Sequence, residues 1–213
     1  MSVPDRAPGP GEFWNAKYAR DAWTYGTEPN AWLASRGHWV RLGDRTLVPA
    51  DGEGRNGVWL AGRGARVTTL DASEVAVLRA RRLARARGVR IDARLGDAFA
   101  YDWTPDSLDL IVLVFFHLPP PARRRLHRFC AAALAPGGRV LIEGFTPAHL
   151  ARRAANPRAG GPGRADMLFT RRMLREDFAG LRVRELGEET RVLSEGPGHD
   201  GPAALIHGTF EKV

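Results

Sequence analysis

Acids and glycines in one short stretch carry the chemistry that this chain displays most openly. Asp51-Gly52-Glu53-Gly54-Arg55-Asn56-Gly57 follows an apolar run, Thr46 to Pro49, and Asp71 closes a second apolar run, Ala65 to Leu70. Glycine lets a backbone approach a ligand closely, and a carboxylate at the position of Asp71 can accept both hydrogen bonds of a ribose diol. Strand, tight turn, helix and strand in this order bind a nucleotide-like ligand beyond the carboxyl ends of a parallel sheet. Gly52 to Gly57 also fits the dinucleotide pattern G-x-G-x-x-G, with Asp71 about 20 residues on.

Charge separates the candidate ligands. A pyrophosphate would rest on this turn and the helix start behind it, where Asp51 and Glu53 would repel it. S-adenosylmethionine carries no phosphate, and its sulfonium and ammonium are cations. The acids favour it. Arg55 and Asn56 stand either as ligand contacts or as ordinary helix-start residues. Further along, Asp97 follows a third strand, and Val114, Phe115 and Phe116 end the run Leu108 to Phe116. Placed at a strand end, the two phenylalanines can wall a ligand or simply fill the core. His117 comes next, either a base or a helix-start histidine bonded to backbone.

The elements that must hold these residues alternate. Strands are expected over Val40–Val48, Ala65–Leu70, Val89–Leu95, Leu108–Phe116 and Arg139–Phe145, with helices over Asn56–Arg63, Ser73–Gly88, Ala122–Leu134 and Thr170–Phe178. Two closing strands, Leu181–Leu193 and Pro202–Phe210, have no helix between them. The pattern specifies an α/β doubly wound, Rossmann-like, mostly parallel seven-stranded sheet with an antiparallel C-terminal edge strand and helices on both faces. Leu108–Phe116 is nearly continuous hydrophobic, as a central parallel strand requires.

Residues 1–12, rich in Pro and Gly, read as a disordered tail, and 13–213 as one domain opening with a helical lid over 13–39. Within that lid Phe13, Trp14, Lys17 and Tyr18 recur at helical spacing, and Tyr25 lies in an aromatic loop. The rings either pack the helix on the core or close a ligand site; one segment can do both.

The 213 residues are 44% hydrophobic and 26% charged, which suits one core of useful size. No stretch is apolar and long enough to span a bilayer, and the first residues lack a signal core, so a cytoplasmic protein is expected. A single cysteine, Cys130, excludes an internal disulfide and suits a buried thiol. The six histidines show no metal-ligand spacing, so no metal is expected. A net charge of +8 raises the question of nucleic acid, with Arg79, Arg81, Arg82, Arg85, Arg87 and Arg90 as the candidate patch. Acids are interspersed with the arginines, and a nucleic-acid partner is not expected.

Seven stretches in order, from YGTEPNAWLA through GEGRNGVWLAGRGARVTTLDAS, GDAFAYDW, LDLIVLVFFHLPP and LAPGGRVLIEGFTP to LREDF and SEGPGHDG, resemble class I S-adenosylmethionine-dependent methyltransferases. Within that class the chain is similar to the tellurite-resistance and thiopurine methyltransferase-like group. The resemblance implies that Gly52 and Gly54 meet the methionyl part of the donor, with Asp51 or Glu53 nearest its ammonium and Asn56 beside the turn. It implies Asp71 at the ribose, Ala72 and Ser73 beside the adenine, and Asp97, Ala98 and Phe99 around the adenine amine. Val114, Phe115 and Leu118 then wall the donor near its sulfonium. The chain departs from the family at the first turn, where Val48 or Pro49 replaces the usual acid and Ala50 the first glycine.

Methyl transfer is an in-line displacement that depends mainly on orientation. A soft or anionic acceptor, a thiol or a selenium or tellurium oxyanion, needs little help from a base, whereas an alcohol or amine needs one. His117 is the catalytic candidate, and Tyr25, Phe116, Arg172 and His199 are the candidates for binding a small-molecule acceptor. No Asn-Pro-Pro-aromatic motif follows the fourth strand, where nucleic-acid amino-methylating enzymes carry one. A nucleic-acid-modifying methyltransferase and a catalytically silent S-adenosylmethionine-binding protein are the alternatives. A monomer or weak dimer is expected.

Overall fold

The computed structural model describes residues 9–20 and 22–213, so most of the expected tail lies outside the described residues. Helix α1 already begins at Pro10 and runs to Tyr18, so residues 10–12 of that tail are helical. Proline suits a first turn because its missing N–H has no helical partner to lose there.

Seven strands form one sheet: β1 (Arg45–Pro49), β2 (Arg66–Asp71), β3 (Asp92–Leu95), β4 (Leu108–Val114), β5 (Leu134–Phe145), β6 (Arg182–Ser194) and β7 (Asp200–Glu211). Their order across the sheet is β3-β2-β1-β4-β5-β7-β6. The first five run parallel, and β7 is antiparallel to both β5 and β6. The C-terminal strand is therefore antiparallel as expected, but it lies one place in from the edge, which β6 occupies. A chain leaving β6 through a tight turn can only return antiparallel beside it, and β5 then takes the free side of β7.

Helices α3 (Arg55–Gly62), α4 (Glu74–Ala86) and α5 (Pro120–Ala133) make the crossovers, with α2 (Ala31–Ser35), α6 (His149–Ala155) and α7 (Arg171–Asp177) as short additions. Ser73 caps α4 by accepting the Ala76 N–H, and Thr170 caps α7 by accepting that of Met173. Both sheet faces are covered. Leu47, Ile111, Leu113, Leu126, Phe178 and Phe210 fill one side, and Trp32, Leu33, Leu60, Leu110, Val112 and Leu141 the other. Cys130 is buried in the first of these clusters and forms no disulfide.

Strand ends differ from expectation in one informative place. Residues 40–44 turn rather than extend, and β1 begins only at Arg45. The carboxylate of Asp44 accepts the Arg41 N–H, a local bond that competes with strand pairing.

The strand order reverses between β1 and β4, which puts a crevice at their carboxyl ends. The chain leaves β1 through two residues with positive φ, Ala50 at 55° and Gly52 at 59°, and enters α3 at Gly54, φ 90°. Alanine in that left-handed region costs about 1–2 kcal/mol. A Cβ on Gly54 would meet the Ala80 Cβ at 2.5 Å and its Cα at 2.7 Å, so this glycine lets α3 pack against α4. Two substitutions in one turn are thus expected to act oppositely in urea unfolding. Ala50→Gly should stabilise by about 1 kcal/mol, whereas Gly54→Ala should cost about 3 kcal/mol through backbone strain and overpacking.

Candidate active site

All five parallel strands end at one cavity of about 790 Å³. Ala50 and Asp51 reach it from β1, Asp71 and Ala72 from β2, Gly96 and Asp97 from β3, Val114 to Leu118 from β4, and Phe145 from β5. Helix α1 closes the mouth with Phe13, Trp14, Lys17 and Tyr18, and the β6–β7 loop adds His199.

At the end of β1 two buried polar atoms lack any partner. Asp51 Oδ2 accepts the Gly57 N–H at 3.0 Å, but its Oδ1 bonds to nothing. Burial lifts this carboxyl to about pH 8, against the pull of the Gly57 N–H and the Arg55 guanidinium. Arg55 Nη2 donates to Glu195 Oε2 at 2.9 Å, while its Nη1 is buried and unpartnered. Nearly all buried polar groups are satisfied in folded proteins, so two orphans, one on an acid and one on a base, in residues that line one cavity mark a place for a ligand carrying both charges. The amino-acid end of S-adenosylmethionine has that pair: an ammonium for Asp51 and a carboxylate for Arg55. The donor set fits the donor molecule.

Asp71 sits one strand over. Its Oδ2 accepts the Gly52 N–H at 2.8 Å and its Oδ1 the Ser73 N–H at 2.9 Å. Each carboxylate oxygen has a second lone pair, so a ribose diol can still be received. Burial raises its pKa and the two N–H groups pull it back. Beyond β3, Asp97 Oδ1 accepts the Phe99 N–H at 2.8 Å, and Ala98 and Phe99 line the cavity beside it. Asn56 also lines the cavity, its Oδ1 accepting the Asn30 N–H at 2.9 Å.

Several expected contacts are not made. Glu53 faces away from the cavity: it accepts the Thr24 N–H at 2.7 Å and pairs with Arg79 at 2.6 Å. Gly54 is spent on α4, as described. Ser73 points its hydroxyl to Asn15 of α1 at 2.7 Å, caps α4 and does not itself line the cavity, whereas Ala72 beside it does. Arg172 lies on α7 with 86% of its side chain exposed and pairs weakly with Glu176, outside the cavity. Tyr25, Phe116 and His199 do line it. Three of the six arginines of the expected patch are engaged, Arg79 with Glu53, Arg87 with Glu28, and Arg81 with the Ala93 carbonyl.

His117 lines the cavity but has no free nitrogen. Its Nε2 accepts the Phe145 N–H at 3.0 Å, which makes Nδ1 the protonated nitrogen, and this donates to the Met167 carbonyl at 2.8 Å. Burial pushes its pKa down to about 4. It is a neutral brace between β4, β5 and the Met167 turn, not a base.

Residues that the sequence left unassigned include Arg55, Phe145 and Met167, all on the cavity. Trp14, Lys17 and Tyr18 were legible only as a lid. A Cβ on Gly52 would stand 2.6 Å from the Tyr18 hydroxyl, so α1 lies directly on the glycine turn. Among the described residues one group has metal-ligand chemistry, Glu143, Glu189 and His207. Arg191 fills it, with nitrogens 2.9 Å from Glu143 and 2.7 Å from Glu189.

Residues 49–138 match the family described as methyltransferase domain. That stretch holds the glycine turn, Asp71, Asp97 and the β4 wall. No curated protein sequence matches the chain. Among solved structures it is similar to one concerned with the conversion of a disulfide bond into a thioacetal group during echinomycin biosynthesis. Identity there is 22% over 95% of this chain and 91% of that one, with a TM-score of 0.75. A SAM-dependent methyltransferase from Methanosarcina mazei aligns at 16% identity over 87% and 99% of the two chains, TM-score 0.68. TehB from Haemophilus influenzae aligns at 17% over 95% and 67%, TM-score 0.66. At these identities the likeness establishes the fold.

His117 supplies a test of its bracing role. Proton NMR should show its ring neutral above about pH 5, because its folded pKa lies below the unfolded value near 6.5. The unfolded chain then binds the extra proton, so this residue makes stability fall as pH drops from about 6.5 to 4. His117→Leu should cost about 2–3 kcal/mol by stranding the Phe145 N–H and Met167 carbonyl.

Proposed function

We propose that the chain is an S-adenosylmethionine-dependent methyltransferase that methylates a small organic molecule held against the aromatic wall of the β4–β5 cavity. The observation that carries this reading is the pair of buried, unpartnered atoms, Asp51 Oδ1 and Arg55 Nη1, on one cavity. They hold the amino-acid end of the donor, Asp71 the ribose, and Asp97 with Ala98 and Phe99 the adenine. The bound donor supplies an electrophilic methyl on a sulfonium.

The remaining lining describes the acceptor. Phe115 stacks on Phe145 with ring centroids 4.7 Å apart, and Phe116, Met167 and Pro162 extend this surface. Phe115 has φ 56°, a conformation costly for a bulky residue that holds its ring at the end of β4. An apolar, planar body suits this wall. Orientation and exclusion of water by α1 do most of the catalytic work. For the soft and anionic acceptors that the sequence suggested, a thiol keeps support, since its body can be aromatic. A bare tellurium or selenium oxyanion has less, since Arg172 points to solvent and the wall is phenylalanine. Tyr25 closes the acceptor side, and burial raises its hydroxyl well above the ordinary range. It is a neutral phenol there.

Asp51 makes the reading testable through protons. Below about pH 8 its carboxyl is protonated in the free protein, and an ammonium favours the ionised form. Donor binding should therefore release a proton, and affinity should rise with pH between about 6 and 8, by up to tenfold per unit. Calorimetry in buffers of different ionisation enthalpy measures both. Asp51→Asn should abolish the proton release and weaken binding about tenfold or more, a loss of roughly 1.4 kcal/mol. Unchanged affinity with unchanged proton release would place the ammonium elsewhere.

A further inference from the structure

With His117 braced on both nitrogens, the cavity holds a different histidine with one nitrogen to spare. His199 is 4% exposed and sits between Tyr25 and Phe115, ring centroids 4.5 and 4.4 Å away. Its Nδ1 lies 3.3 Å from Glu195 Oε2. A carboxylate can only accept, so Nδ1 carries the proton and Nε2 the lone pair of the neutral ring. Nε2 bonds to no described residue, on a side chain that lines the cavity.

Glu195 is held in turn. Arg55 donates to the same Oε2, and Asn30 Nδ2 lies 3.3 Å from Oε1. Burial pushes the Glu195 carboxyl up, but its bonds to His199 and Arg55 outweigh that and hold it at about 2. The arrangement is nucleophile-activating: an acceptor-only group orients an imidazole that lines the cavity beside the aromatic wall and leaves its other nitrogen unpaired.

We propose that His199, oriented by Glu195, is the general base of methyl transfer, and that the acceptor presents a weakly acidic hydroxyl on an aromatic body, a phenol. This inference rests on the reading of the cavity as an S-adenosylmethionine site. As the oxygen lone pair forms the new bond to carbon, the methyl–sulfur bond breaks and its electron pair returns to sulfur, leaving a neutral thioether. The hydroxyl proton passes to His199 Nε2, and the imidazolium is stabilised by Glu195 until the proton leaves to solvent. An amine acceptor fits less well, because Lys17 and Arg55, both on the cavity, would repel its protonated form. A tellurium or selenium oxyanion would leave the base without a task.

The groups facing His199 are Glu195 on its own loop, Arg55 on α3, Lys17 on α1, Tyr25 after α1, and the His117 ring after β4. Burial is the main influence lowering its pKa, partly offset by Glu195, so the ring is neutral and able to accept a proton at neutral pH.

The test uses the full chain with S-adenosylmethionine and three acceptor probes of rising acidity: phenol, 4-nitrophenol and pentafluorophenol. An ionised acceptor needs no base. His199→Gln should therefore lose about 100-fold or more in kcat with phenol, within the usual range for general-base catalysis, but only a few-fold with pentafluorophenol. Glu195→Gln should move the acid limb of the kcat–pH profile for phenol and show the same narrowing across the series. Donor binding, measured separately by equilibrium dialysis, should survive in His199→Gln. Equal losses with all three probes would make His199 a packing residue and overturn the inference. So would a wild-type protein that binds the donor and methylates none of them, with the cofactor reading left standing. Failure of the wild type to bind the donor would overturn that reading, and this inference with it.

Discussion

The carboxylate of Asp71 holds the site together. It receives the Gly52 N–H on one oxygen and the Ser73 N–H on the other, and so ties the turn after β1 to the end of β2. A buried charge is costly unless hydrogen-bonded, and here backbone donors offset that cost while fixing the shape of two strand ends. With the turn pinned, Ala50 and Gly52 take positive φ, and α3 starts where Asp51 and Arg55 face a common space. The same carboxylate that orders the apo turn keeps lone pairs for a diol.

Around this floor, the lid and the C-terminal hairpin are joined by buried ionic links rather than by greasy contact alone. Glu53 receives the Thr24 N–H and pairs with Arg79, fastening the loop after α1 to α4. Asn30 caps α2, donates its N–H to Asn56, and reaches Glu143 and Glu195 with its amide. Arg191 from β6 pairs with Glu143, whose carboxyl burial lifts to about 7 against Arg191 and Asn30. Removing one partner from such a pair strands the other, so these residues are expected to be far less tolerant than surface ion pairs. They account for several of the acids and arginines that are interspersed along the sequence.

Much of this was legible beforehand. Apolar runs located five of the seven strands to within three residues of either end, β1 and β5 each missing by five at the start, and the lack of a helix between the last two announced a mixed sheet. Asp51, Asp71, Asp97 and the phenylalanines after β4 were readable because a strand's carboxyl end fixes where the next residues must be. Side-chain direction inside the turn was not readable. Glu53 and Asp51 are two residues apart in a tight turn, and only the positive φ values decide that one faces the cavity and the other α4. The engagement of the Ser73 hydroxyl as a cap and with Asn15 was not readable either. His117 and His199 show the same limit. Both are histidines at the ligand edge, and only hydrogen-bond partners separated by 28 to 50 residues reveal that His117 has no nitrogen free.

The central claim is that this cavity accepts a cationic, phosphate-free nucleoside at the turn that Asp51 and Arg55 flank. Calorimetric titration of the full chain with S-adenosylmethionine, S-adenosylhomocysteine and NADH tests it most directly. One site for each of the first two, with no heat of binding from NADH, is the predicted result. Tighter binding of NADH than of the sulfonium would contradict the account, because its pyrophosphate would have to rest against the Asp51 carboxyl.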